Sequence, residues 1–115
     1  MKNLILIVFA LFAFDVKAQI DTPPNAQTGK CYAKVKTDST DVLGHWEEVL
    51  CGEKITPQLI QKISKEFNYK GYKVDVFNEK LDANLRDIIR KYQKDNNLPV
   101  GALNIKTLEA LGVSY

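Results

Sequence analysis

The spacing of apolar and polar residues changes along this chain. Residues 4–14 form a continuous apolar run, residues 30–54 alternate with a period of two, and from residue 55 onward the apolar positions recur every three or four residues. A period of two is typical of half-buried strands, and the longer spacing is typical of amphipathic helices. Residues 19–29 contain two prolines and a glycine without an apolar period, which predicts a flexible leader. The pattern predicts a strand segment followed by a helical segment.

The apolar run at the N-terminus has the features of an export signal. Lys2 precedes it, and Val16 and Ala18 place small residues at the −3 and −1 positions of a signal-peptidase site. We therefore expect residues 1–18 to be a signal peptide, cleaved after Ala18, that directs the chain to the periplasm or otherwise outside the cytoplasm. The alternative is a membrane anchor, but the run is shorter than the ~20 residues that a spanning helix needs. No membrane span is expected after cleavage.

Residues 30–54 predict a β-hairpin closed by a disulfide. KCYAKVK and WEEVLC alternate in polarity, and the TDSTDVLGH between them is rich in turn formers. The chain has two cysteines, Cys31 and Cys51, which in a small exported domain pair as a disulfide. Such a link contributes roughly 3 kcal/mol in the chain-entropy model. The chain lacks a C-x-x-C redox motif, and its single histidine does not complete a familiar zinc spacing, so we expect neither a metal nor a cofactor.

An isolated two-stranded hairpin is marginally stable in water, so this one must pack against another element. Tyr32 and Trp46 have the largest side chains available for that contact. We expect them to pack against the helices that follow. The alternative is an exposed aromatic pair that stacks on a sugar ring.

Residues 55–115 predict three helices of unequal length. The first begins at the N-cap Thr56, the second at the N-cap Asp82, and the third, shorter helix at the N-cap Asn104. Asn97 tolerates the left-handed conformation that ends the second helix, and Gly112 plays the same part after the third. The predicted fold class is mainly α, with a small three-helix core preceded by the disulfide-linked β-hairpin.

The helical segment resembles the peptidoglycan-binding-like three-helix domain family. The resemblance is carried by Gly71-Tyr72, by Tyr92-Gln93, by DNNLPVG at residues 95–101 and by TLEALG at residues 107–112, and it extends over residues 56–113. The preceding GKCYAK and WEEVLC segments also resemble a cysteine-bearing module found before such domains in bacterial envelope proteins.

One loop departs from the family pattern. Where the family carries Asp-Gly-x-x-Gly-x-x-Thr, this chain has NEKLDANL at residues 78–85, without either glycine or the threonine. The loop therefore either has a different backbone conformation or places other residues at strained positions. The resemblance supports the fold more strongly than it supports ligand binding.

Peptidoglycan presents sugar faces, amides and stem-peptide carboxylates, so a site for it requires an aromatic surface, hydrogen-bonding groups and cations. The resemblance and the residue types together give a candidate ligand site around one end and one face of the second helix. Two alternatives stay open: the face is simply solvated, with an Asp82–Arg86 ion pair, and Tyr92 belongs to the core. The candidate residues are Tyr72, Asn78, Asp82, Arg86, Arg90, Tyr92, Gln93 and Asn97.

The resemblance implies a non-catalytic periplasmic module that binds cell-wall peptidoglycan and tethers an envelope assembly. The alternative is a structural or protein-interaction subunit of an envelope complex that has lost sugar binding. A net charge of +2 with two arginines does not indicate a nucleic-acid partner. Enzymatic chemistry is not expected, because His45 is the only histidine and the neighbouring Glu47 and Glu48 point to opposite faces of a strand. The expected partners are peptidoglycan and an envelope protein.

Overall fold

The computed structural model describes residues 23–115. The predicted signal peptide and the first part of the predicted leader lie outside the described residues. Two strands come first, β1 (Cys31–Val35) and β2 (His45–Val49), followed by a short 3₁₀ turn (Gly52–Lys54). Three helices then follow: α1 (Pro57–Tyr69), α2 (Ala83–Asp95) and α3 (Ile105–Leu111).

The strands form the predicted antiparallel hairpin, in which Cys31 pairs with Val49 and Val35 with His45. The predicted disulfide is present: Cys31 and Cys51 are bonded, with their Cα atoms 5.2 Å apart. A disulfide of this kind is favoured in an oxidising, exported location. The side chains of residues 30–54 that are buried are Val35, Leu50 and Cys51, whereas Tyr32 and Trp46 are only half-buried.

The three predicted N-caps are confirmed. The side chains of Thr56, Asp82 and Asn104 each accept a hydrogen bond from the backbone N–H three residues on, over distances of 3.2, 2.9 and 2.9 Å. These bonds satisfy donors that the first turn of a helix leaves unpaired. The predicted left-handed residues are also found, with φ of 55° at Asn97 and 74° at Gly112.

The prediction of a mainly α fold is wrong. The described residues form a small mixed domain that is 39% helical and 14% strand, in which three helices and a two-stranded antiparallel sheet occur together. The hairpin is joined to the chain beyond α2 by isolated β-bridges, one between Lys36 and Val100 and one between Val49 and Asn104. Those bridges provide hydrogen-bond partners for backbone N–H and C=O groups that, in a detached hairpin, would bond only to water.

The apolar core lies between the three helices and the end of the hairpin. Phe67, Ile63, Leu85 and Leu108 are fully buried at its centre. The rest of the core cluster surrounds them: Leu50, Leu59, Ile60, Ile89, Tyr92, Leu103, Leu111 and Val113. The interior therefore fixes how α2 lies beside the hairpin, and the candidate site is at that boundary.

Candidate functional site

A groove with four basic side chains lies where the hairpin meets α2. It has a volume of about 620 Å³. We call it the cationic groove and define it by the residues that line it: Lys34, Val35, Lys36, Thr37, Asp38, Ser39, Arg90, Lys94, Val100 and Gly101.

The cations of the groove come from two elements. Lys34 and Lys36 are two residues apart on an extended segment, so their side chains lie on one face. Arg90 and Lys94 are four residues apart on α2, so they also share a face. Within residues 23–115 the Lys34, Lys36 and Lys94 ammonium groups form no salt bridge, and Arg90 lies 3.5 Å from the exposed Asp87 carboxylate. Exposed pairs of that kind contribute about 0–1 kcal/mol, so the guanidinium stays available to a ligand.

The end of the first hairpin strand and the chain after α2 are joined at the groove by a two-way backbone bridge. The Val100 N–H donates to the Lys36 carbonyl over 2.7 Å, and the Lys36 N–H donates to the Val100 carbonyl over 3.4 Å. At the rim, hydrogen bonds from the Thr40 hydroxyl and backbone N–H lower the pKa of the Asp38 carboxyl. The groove thus combines four cations with one ionised carboxylate, which suits an anionic ligand.

An aromatic ring lies next to this groove. The Lys34 ammonium is 5.6 Å from the centre of the Trp46 ring, a distance at which a cation is attracted to an aromatic face. Trp46 is the only tryptophan of the chain. Its fluorescence is therefore a reporter for any ligand that displaces Lys34.

A second, smaller depression is apolar. It has a volume of about 240 Å³, and Arg86 is the charged residue in its wall. We call it the apolar cavity, and its lining consists of Val49, Leu50, Ile55, Leu81, Arg86, Ile89, Gly101, Ala102 and Leu103. Gly101 lines both depressions, so the cavity and the groove are adjacent at this residue.

Two of the eight sequence-predicted site residues are inside the protein. Gln93 is fully buried, and its amide nitrogen donates to the Ala102 carbonyl at 2.8 Å and to the Thr107 hydroxyl at 2.9 Å. Its amide oxygen accepts from the Gly101 N–H at 3.1 Å. Tyr92 is 5% exposed, and burial raises the pKa of its phenol. Gln93 thus holds Gly101 and Ala102, and Gly101 lines both depressions.

Tyr72 lies at the edge of the same aromatic cluster. Its ring meets those of Phe67 and Tyr92 edge to face, with centroids 5.5 and 6.0 Å away. Its hydroxyl donates to the Asp95 carboxylate over 3.0 Å. Burial, and then that hydrogen bond, raise the pKa of Tyr72.

The remaining predicted residues are distributed around α2. Asn78 donates to the N-cap carboxylate of Asp82 over 3.2 Å, and Asn97 is exposed in its left-handed turn. Within residues 23–115, Asp82 and Arg86 do not form a salt bridge. The structure brings Arg90 into the cationic groove and Arg86 into the apolar cavity, and it leaves the other six outside both.

A polar cluster that the sequence reasoning did not identify lies around His45. Its Nδ1 is 2.6 Å from an Asp41 oxygen, and its Nε2 is 2.8 Å from a Glu47 oxygen that also accepts from Lys106 over 3.1 Å. The hydrogen bond to Asp41 is the main reason that the pKa of His45 lies above 6.5. The available signal was the two-residue spacing of His45 and Glu47, which places both on one strand face.

Across residues 23–115, no helix is both long and apolar enough to cross a membrane. In the same range, no three His, Cys, Asp or Glu side chains are grouped in a way that could hold a metal ion.

Comparisons of the chain with protein-family models, with curated proteins and with solved structures found no match.

Proposed function

We propose that this chain is a non-catalytic module of the bacterial periplasm that binds peptidoglycan and tethers an envelope assembly to the cell wall. The observation that carries the proposal is the convergence of Lys34, Lys36, Arg90 and Lys94 on one groove. Stem-peptide carboxylates are the anionic groups of peptidoglycan, and guanidinium and ammonium groups bind carboxylates by charge-assisted hydrogen bonds.

Three further features support the proposal. Trp46 beside Lys34 offers an aromatic surface for a sugar ring at the edge of the groove. The disulfide fits an oxidising compartment, and the predicted signal peptide with cleavage after Ala18 would deliver the chain there. The resemblance of the helical segment to peptidoglycan-binding-like domains points to the same ligand.

The test is co-sedimentation of the exported, oxidised protein with purified sacculi. The double variant Arg90→Ala, Lys94→Ala removes both α2 cations of the groove and should weaken binding by about tenfold or more, because two charge-assisted contacts are lost. The matched control is Lys62→Ala, Lys65→Ala, which removes two exposed lysines of α1 that do not line the groove. The control should bind sacculi like the unmodified protein, and circular dichroism should show that both variants are folded.

Two results would refute the proposal. In one, the unmodified, folded and oxidised protein stays in the supernatant when the sacculi are pelleted. In the other, both double variants lose binding equally, which would assign the affinity to net charge rather than to the groove.

A further inference from the structure

The apolar cavity is open beside the cationic groove, and the peptidoglycan proposal makes no use of it. Its volume of about 240 Å³ exceeds the ~150 Å³ of an apolar cavity that accepts benzene. A branched aliphatic side chain therefore fits, whereas a methyl group of an alanine-rich stem peptide would leave most of the space empty. The cavity indicates a ligand with a bulkier apolar group.

The charges around the cavity restrict that ligand further. Arg86 stands in its wall, and no described carboxylate forms a salt bridge with the Arg86 guanidinium. About one and two turns further along α2, Arg90 and Lys94 line the groove. A segment that places an apolar side chain in the cavity therefore meets positive charge on the side towards the groove, which favours acidic residues there.

The spacing along α2 sets the order of these groups. Arg86 and Arg90 are four residues apart, which is a rise of about 6 Å along a helix. In an extended peptide, side chains two residues apart point the same way and are separated by about 6.6 Å. A peptide lying along α2 can thus place one side chain in the cavity and the next but one in the groove.

We propose that the apolar cavity and the cationic groove together bind an extended segment of a partner protein, in which a bulky aliphatic residue is followed or preceded at two positions by Asp or Glu. This surface is a peptide-docking site. The proposal does not rest on peptidoglycan binding, although the two ligands share the groove.

The probe is a short peptide, blocked at both ends, with one leucine and one glutamate two positions apart in a glycine and serine background. Its titration into the ¹⁵N-labelled, oxidised protein should shift the amide signals of Gly101 and Ala102 and yield a Kd. Replacing the leucine by serine or the glutamate by glutamine should each weaken binding by about tenfold. A peptide in which the leucine and the glutamate are adjacent should lose as much affinity as the serine peptide, since only one of the two side chains can then reach its depression.

Protein variants locate the site. Ala102→Phe fills the cavity, so the leucine and serine peptides should then bind with the same affinity. The matched change Ala110→Phe, on the exposed face of α3, should leave the Kd of the leucine peptide unchanged. Arg90→Ala, Lys94→Ala, which removes the α2 cations of the groove, is the second variant should Ala102→Phe fail to fold. It should weaken binding of the acidic probe about fivefold or more while sparing the glutamine peptide.

Each outcome has one consequence. Equal binding of the leucine and serine peptides would overturn the proposal, as would a Kd insensitive to both variants. A concentration-dependent dimer of the free protein that Ala102→Phe dissociates would also overturn it, because the occupant would then be a second copy of the chain. If Ala102→Phe still binds sacculi but no longer binds the peptide, the peptide site is distinct from the peptidoglycan site. If the unmodified protein binds the peptide but not sacculi, the peptide-docking proposal is supported and the peptidoglycan proposal is not.

Discussion

Replacing Gln93 by methionine should destabilise the fold without directly altering the chemistry of the groove. The buried amide makes three hydrogen bonds, to Gly101, Ala102 and Thr107. The Ala102 carbonyl and the Thr107 hydroxyl each keep a partner in Asn104, and Gly101 is exposed enough for water to replace part of its loss. At about 0.5–1.5 kcal/mol for each bond, the free energy of unfolding should fall by about 2–4 kcal/mol. For a domain of ordinary stability, about 5–15 kcal/mol, that is a large fraction.

The assay is equilibrium unfolding in urea, followed by Trp46 fluorescence and by far-UV circular dichroism. With an m-value of about 1–3 kcal/mol per molar urea, the midpoint should fall by about 0.7–4 M. The matched control is Gln58→Met on the exposed first turn of α1, which should move the midpoint little because methionine and glutamine have similar helix propensities. If Gln93→Met unfolds at the same urea midpoint as the unmodified protein, the three hydrogen bonds do not stabilise the fold and the structural role assigned to Gln93 is incorrect.

Two other predictions concern polar groups outside the groove. The pKa of His45 is raised, chiefly by Asp41 and also by Glu47, so its contribution to stability is complete below about pH 6.5 and is lost as pH rises through the raised pKa. The urea midpoint should therefore fall between about pH 5.5 and pH 8.5 in the unmodified protein, and His45→Gln should reduce that fall; an unchanged pH dependence in the variant would contradict the assignment. Ser64 is fully buried, and its hydroxyl lacks a hydrogen-bond partner among the described residues, so Ser64→Ala should raise the free energy of unfolding by about 1 kcal/mol. A loss of stability in the same urea assay would show that the hydroxyl has a partner, such as an ordered water.

The local features of the fold could be predicted from the sequence because each depends on a few neighbouring residues. Thr56, Asp82 and Asn104 are caps because a short polar side chain reaches the N–H three residues later, whatever surrounds it. The fold class could not be predicted in this way. Whether the hairpin belongs to the helical core depends on contacts such as that between Leu50 and Leu103, which are far apart in the chain.

The candidate site shows the same division. The four-residue spacing of Arg86, Arg90 and Lys94 places all three on one face of α2, because the helical period is local information. It did not predict that Arg86 and Arg90 would line different depressions, since that depends on where the segment at residues 100–102 crosses beside the helix. Nor did it predict that Lys34 would join Arg90 in one groove, which required the pairing of the hairpin with Val100.

The two depressions have a common structural cause. The hairpin meets the rest of the protein through the bridge between Lys36 and Val100 and the bridge between Val49 and Asn104. The chain between those bridges, at residues 100–104, is therefore held beside the hairpin, and its Gly101 lines both the groove and the cavity. Gln93 fixes this stretch from the core side by holding Gly101 and Ala102. A buried hydrogen bond from the core thus positions Gly101, which lines both the groove and the cavity.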